Sequence, residues 1–440
     1  MANEYLVNSA DLTAVADAIR EKGGTADELV FPAGFINAVE AIQSGGGGSA
    51  PSTEECDVNF YDYDGTLLFS YTLDEAHALT ALPDAPTHDG LTFQGWNFSL
   101  EKVKAATRKM DVGAMYITSD GKTRIFIRLE EGRTSPMLGV CPNGTVDVDW
   151  GDGTAHDTLT GTSASTVKWT PTHEYAAPGE YVIALTVDGQ MTFSGKQSTN
   201  QYSYVLRHDS GTDARNRAYQ NAVRAVYIGD SGTSIGSNAF TSSCNSLSNV
   251  VIPSSVTSIG GAAFNGCNSL RSVVIPSSVT SIGSSAFASC NSLSNVVIPP
   301  SVTSIAAYAF NKCNSLRSVI IPDGMMSISN NMFEGCYSLR NVSIPDSVTN
   351  IGNNAFATCY SLSTAVIPSS VTSIGSSAFS SCYGIRVYDF TKHTFVPTLS
   401  NTNALSGIAD DCEIRVPSSL YDEWIAATNW ATYASYIVAV

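Results

Sequence analysis

Charge is scarce in this chain. Only 14% of its 440 residues are Asp, Glu, Lys or Arg, and 40 acids against 23 bases leave a net charge of −17. No Lys/Arg cluster exists to meet a phosphate backbone, so no nucleic-acid partner is expected. No apolar run reaches the roughly 18 residues of a spanning helix, and membrane insertion is not expected. From Met1 to Asp11 there is neither a basic stretch nor an apolar one, so no secretory signal is read there. Cys-x-x-Cys spacing and a phosphate-cradling glycine loop are both missing. The six histidines (His77, His88, His156, His173, His208 and His393) share no metal-ligand spacing. Enzymatic activity, a bound metal and a cofactor are therefore not expected.

What the chain has is a pattern written seven times between Val226 and Val387. Cys244, Cys267, Cys290, Cys313, Cys336, Cys359 and Cys382 recur every 23 residues. Phe264, Phe287, Phe310, Phe333, Phe356 and Phe379 keep step three residues earlier, and Phe240 sits four before its cysteine. A leucine or isoleucine follows each cysteine by three, and prolines from Pro253 to Pro368 close the units. One such unit is too short to bury its own Phe, Leu and Ile. Neighbours must do so, which predicts a stacked solenoid. Strands about 4.7 to 4.9 Å apart would turn Phe264, Phe287 and Phe310, and likewise Cys267, Cys290 and Cys313, into continuous structural ladders. The segment Leu270-x-x-Val273-x-Ile275 fits a leucine-rich strand, and the following proline ends its pairing. Ser-Ser-Ala-Phe-Ala-Ser-Cys is expected to form a short helical turn. One cysteine per unit, odd in number, reads as a small buried apolar residue, with disulfides only where backbone geometry allows. Cys56, Cys141 and Cys412 carry no motif.

These repeats resemble the leucine-rich repeats of the BspA-like surface-antigen class. Other stretches carry resemblances of their own. Residues 1–44 read as two short amphipathic helices with stripes at Leu12, Val15 and Ile19, then Phe35 and Val39. The string Leu-Thr-Ala-Val-Ala-Asp-Ala-Ile-Arg-Glu-Lys-Gly-Gly-Thr, followed by Phe-Pro-x-Gly-Phe, is similar to the N-terminal segment of phage and prophage tail-associated proteins. An ordinary helical hairpin would read the same way. Residues 45–55 are a Gly/Ser-rich tether. Residues 56–111 alternate as a small β module, with an Asp64-Gly65 hairpin signal, and resemble the internalin B-repeat type. Residues 112–206, with Trp150-Gly-Asp-Gly and His173-Glu-Tyr175, resemble the PKD-type immunoglobulin-like sandwich. Asp147, Asp149, Asp152, Asp157 and His156 read there as turn and outward strand positions. Residues 222–390 form the solenoid and 391–440 its cap, where Trp424, Trp430, Tyr433 and Tyr436 suit the closing of an open end. The expected fold class is thus mainly β and multidomain. It has an N-terminal helical hairpin, a small β module, an immunoglobulin-like (PKD-type) β-sandwich, and a leucine-rich-repeat solenoid with a C-terminal cap.

With the two β units as spacers, the order reads as anchor, tether, spacers and display surface. The resemblances imply a virion tail protein of receptor-binding or tail-fibre type, which leaves its host by lysis. Residues 1–44 would join other tail or baseplate proteins, and the solenoid would meet a bacterial surface glycan or protein. The family comparison implies a homotrimer. A bacterial or prophage-encoded surface adhesin is the alternative, and a tail-associated glycan depolymerase is a third reading. The positions that vary between units point to the contact surface. After each ladder cysteine come Asn245, Asn268, Asn291 and Asn314, then Tyr337, Tyr360 and Tyr383. Tyrosine offers an apolar face and a polar tip, although three in register can also simply pack on one another. Arg317 and Arg340, with Arg271, share a second position and join the tyrosines as candidate contacts, or are merely solvated.

Overall fold

The computed structural model describes residues 57–163, 166–193, 205–207, 213–241 and 244–440. The expected anchor, with Leu12, Val15, Ile19, Phe35 and Val39, and the tether lie outside the described residues.

Strands β1 (Val58–Tyr61), β2 (Leu67–Tyr71), β3 (Leu91–Trp96) and β4 (Met110–Thr118) form a sheet in the order β2-β1-β4-β3. Gly65, with φ +89°, makes the β1–β2 turn, and its N–H donates to the Asp62 carbonyl at 3.1 Å. Helix α1 (Leu73–Ala78) starts in a reciprocal Thr72–Glu75 capping box, which satisfies two N–H groups that a helix start leaves over. Helix α2 (Leu100–Lys104) is capped by Ser99. Phe60 packs edge-on against Trp96 at 4.9 Å in a core with Val58, Val112 and Tyr116. Strand β4 runs across the expected boundary at 111/112 and belongs wholly to this sheet.

A second β unit follows, with β5 (Thr123–Leu129), β6 (Met137–Asp149), β7 (Asp157–Thr162), β8 (Lys168–Trp169), β9 (Gly179–Phe193) and β10 (Leu206–Arg207). The long β9 pairs antiparallel with both β5 and β6, and β6 also pairs with β7, β8 and β10. Trp150 is buried and stacked on His173 at 4.4 Å, and its indole N–H donates to Asp157 at 2.9 Å. The Tyr175 hydroxyl donates to the Trp150 carbonyl at 2.8 Å. Asp149 accepts from the Gly151 N–H, and Asp152 from the Thr154 N–H. The carboxylates of this segment therefore hold its own turn and rings.

The sheet does not end there. After helix α3 (Asp213–Gln220), β11 (Val223–Tyr227) pairs antiparallel with β5, and β12 (Gly232–Ile235) pairs parallel with β9. The second β unit and the solenoid thus share one 12-stranded sheet. Phe193 of β9 lies 5.2 Å from Phe240, so the unit closes the first end of the aromatic ladder.

Each 23-residue coil carries two short strands that lie beside those of the next coil, paired parallel at many coil boundaries and unpaired at others, as between Ser304–Ile305 and Ser327–Ile328. One row runs from Asn249–Val251 to Val387–Asp389, the other from Ser258–Ile259 to Ser373–Ile374. Register is kept unit for unit, as in Val273 opposite Val296 and Ile259 opposite Ile282. From Phe240 to Phe379 the rings stack at 5.2 to 5.7 Å with interplanar angles of 14° or less. All nine cysteines among the described residues are free and buried. From Cys267 to Cys382 each ladder thiol donates to the carbonyl of the previous coil's phenylalanine at 3.0 to 3.3 Å. The cysteine is thus a donor as well as a filler, and burial pushes the Cys290 thiol up to about 12.

The expected helical turn before each cysteine does not form. Ser285 and Ser289 have φ of 56° and 58°, and Tyr308 and Lys312 have 62° and 57°. These left-handed corners aim the intervening amides at the next coil: the Phe287 N–H donates to the Ala309 carbonyl at 2.8 Å. Inter-coil bonding replaces the bond four residues back that a helix requires.

At the far end Thr398–Leu399 extends one strand row, and Glu413–Val416 with Ile437–Ala439 extends the other. Between those strands the cap is helical in three pieces, Ser418–Leu420 (3-10), Tyr421–Ala426 (α) and Trp430–Tyr436 (3-10). Trp424 and Trp430 are fully buried 4.5 Å apart, each packed on Phe390.

Candidate functional site

The corner after each ladder cysteine repeats at the coil spacing, so identical side chains there must meet. In the early coils they are asparagines, which hydrogen-bond in series: Asn268 donates to Asn245 at 3.1 Å and Asn291 to Asn268 at 2.9 Å. In the late coils they are tyrosines. Tyr337 and Tyr360 stack at 5.0 Å and 9°, and Tyr360 and Tyr383 at 5.7 Å and 10°. Stacking leaves them 42%, 43% and 56% exposed. Their hydroxyls have no hydrogen-bond partner among the described residues, so ring edges and hydroxyls remain available to a ligand.

Arg317 and Arg340 sit three residues after the corner position, exposed, with the Arg340 N–H donating to the Arg317 carbonyl at 2.8 Å. Arg271 holds the same place in an earlier coil, outside the tyrosine segment. Sequence reasoning missed Arg386, which occupies this place in the last coil and was findable by counting four from Cys382. Its guanidinium donates to the Tyr383 carbonyl at 2.8 Å and pairs with Asp411 at 2.9 Å. Gly407, at φ +77°, lies so close that an added Cβ would be 3.0 Å from the Tyr383 ring. The cap therefore braces the last ring of the column.

A second feature was not foreseen. The small β module is no spacer placed ahead of the solenoid; it lies against the solenoid's flank. The outward residues of the first strand row, Val251, Val274 and Val297, are buried beneath it. Gly113 of β4 sits where a Cβ would come within 2.5 Å of Val274 Cγ1, so only glycine permits this approach. The Asn97 amide donates to the Ile275 carbonyl at 3.2 Å. Arg108 donates to Ser343 Oγ and the Ile321 carbonyl, each at 2.7 Å, and pairs with Asp323. The available signal was valine at a position where alternation calls for a polar residue. Farther along the row come Ser343, Val366, Asp389 and Arg415, and Val366 is 51% exposed. Between module and coils a cleft of about 350 Å³ remains.

The BspA type leucine rich repeat region family matches this chain over residues 233–362 and 280–403, in six copies. No curated protein matches it. Among solved structures, a leucine rich cell surface protein from Faecalibacterium prausnitzii A2-165 is similar at 27% identity, over 53% of this chain and 68% of that one, with a TM-score of 0.39. The T. pallidum leucine rich repeat protein matches at 26% identity, over 47% and 79%, with a TM-score of 0.30. A leucine-rich repeat protein from Bacteroides ovatus ATCC 8483 matches at 19%, over 67% and 98%, with a TM-score of 0.22. Coil length, ladder register and family match agree: the C-terminal half of this chain carries BspA-like leucine-rich repeats wound into a β-solenoid.

Proposed function

We propose that this chain is an adhesion protein whose solenoid presents the tyrosine corner to a glycan or protein on a bacterial surface. One observation carries the reading: Tyr337, Tyr360 and Tyr383 are in register, half-exposed and, among the described residues, without partners for their hydroxyls. A column already ordered by the fold loses little side-chain entropy on binding, which favours recognition by preorganised aromatics. Because the rings face one another, their edges and hydroxyls make the contact. Their spacing is close to the rise of one unit in an extended pyranose chain, and Arg340, in the Tyr337 coil, and Arg317, one coil earlier, supply donors.

The setting we propose is a phage tail, as a receptor-binding or fibre protein. Similarity of residues 1–44 to tail-associated segments supports it, and in that setting those residues bind neighbouring tail or baseplate proteins. The β unit with Trp150 and His173 serves as a PKD-type element that closes the solenoid's first end. Three copies per fibre and an action by binding rather than catalysis belong to the same proposal. The family match favours a bacterial surface adhesin as the second reading.

Antibody against the repeats, followed by electron microscopy, separates the two: labelled tail tips are expected, and label on bacterial cells with bare particles defeats the phage setting. Tyr360→Ala with Tyr383→Ala should lower host binding about tenfold or more, as loss of aromatic anchors does. Unchanged binding by a folded double variant would remove the tyrosine column from the argument.

A further inference from the structure

The cleft between the β module and the solenoid differs electrically from the rest of the chain. Its volume of about 350 Å³ falls at the lower end of the roughly 300–1,000 Å³ of small-molecule sites. Phe98, Met110, Ile298 and Ile320 supply apolar walls. Lys102, Arg108 and Lys109 also line it, against the single carboxylate of Asp323. Three cations to one acid is the reverse of a chain whose net charge is −17. Part of the Lys109 charge faces buried Asp111, which leaves Lys102 and Arg108 as the main attraction.

Arg108 is held before any ligand arrives. One nitrogen donates to Ser343 Oγ and another to the Ile321 carbonyl, so the guanidinium plane is fixed across the junction. Its remaining partner, Asp323, is 76% exposed. Asp323 accepts from two of the Arg108 nitrogens, but its exposure lets solvent screen the pair, so a second anion can compete for the guanidinium.

We infer that this cleft binds a small organic anion of monosaccharide size, with a carboxylate or phosphate on Arg108 and Lys102 and its apolar face against Ile298 and Ile320. The site is separate from the tyrosine corner and stands or falls without it.

Saturation-transfer NMR and calorimetry on the full chain, with D-glucuronate, D-glucose 6-phosphate and neutral D-glucose as probes, test this directly. At least one anion should bind at millimolar or lower concentration, and which of them does so identifies carboxylate or phosphate as the natural group. Glucose should not bind. Lys102→Glu, at an exposed position, should weaken binding about tenfold, because reversal replaces an attraction with a repulsion. Asp323→Asn should tighten it severalfold by removing the internal competitor. Opposite effects from two surface substitutions cannot come from unfolding. Glucose binding as well as the anions, no probe binding at all, or affinities indifferent to both substitutions would each overturn the inference.

Discussion

Phe310→Ala removes the centre of the aromatic ladder. Phe310 is fully buried, with rings at 5.5 Å on one side and 5.7 Å on the other. Truncating such a phenylalanine costs about 3–5 kcal/mol. The two stacking contacts account for ~1–3 kcal/mol of that, at ~0.5–1.5 per pair. In a solenoid the loss is local to one coil and its two interfaces, because stability is a sum of nearest-neighbour terms. The substitution should therefore divide the molecule as well as weaken it. On the N-terminal side the coils share a sheet with β5 and β9 and lie under the β module. Coils from Ser327 onward are held, apart from the single Arg108–Ser343 hydrogen bond, only by the cap beyond them. Hydrogen exchange in moderate urea should show Ser327–Ile328, Asn350–Ile351 and Ser373–Ile374 opening together, before Ser258–Ile259 and Ser281–Ile282. Phe310→Leu keeps most of the apolar volume and should cost roughly half as much or less. A single transition shifted by under ~1 kcal/mol, with no difference between the ends, would refute the ladder as the source of the solenoid's cohesion.

Two further outcomes follow from packing and charge. Gly113→Val would bring a side chain within 2.5 Å of Val274 Cγ1, and overpacking of this kind costs ~1–3 kcal/mol or more. Limited trypsin digestion should then cut after Arg108 or Lys109 while the repeats stay intact; unchanged resistance would argue against the docked arrangement. His393 is 3% exposed among Phe390, Phe395 and Trp424, and burial lowers its pKa below the ordinary histidine value of 6.5. The unfolded chain therefore takes up this proton first. The histidine's contribution is complete above pH ~6.5 and is lost as pH falls through the lower folded value. The cap should loosen on acidification, read by exchange at Glu413–Val416 and Ile437–Ala439, and His393→Leu should flatten that dependence. Asp111, raised by burial to about 6, acts in the opposite direction: its contribution is lost as pH rises through that value. A pH trend at the cap that survives His393→Leu would assign it to another group.

Much of this protein follows from its sequence because a repeat is a local statement made many times. Cysteines every 23 residues, with Phe three before and Leu three after, fix the coil length, and fixed coil length forces like residues into ladders. The tyrosine corner was visible for the same reason: Tyr337, Tyr360 and Tyr383 share a phase, and stacking copies must bring them together. Trp424 and Trp430 marked the cap because large apolar side chains after the last repeat need a surface to cover.

Only the tertiary structure decided the rest. The left-handed corners at Ser285, Ser289, Tyr308 and Lys312 carry no glycine to announce them; Gly266 and Gly335 alone give the hint. Their conformation is set by amides bonding to the next coil rather than by local preference. Docking of the β module depends on Gly113 meeting Val274 and Arg108 meeting Asp323, Ile321 and Ser343, contacts between segments more than 150 residues apart. The shared sheet of β5, β9, β11 and β12 likewise joins distant strands. Such pairings happen once and have no period, so they leave no rhythm in the chain; the shape and charge of the folded surfaces select them.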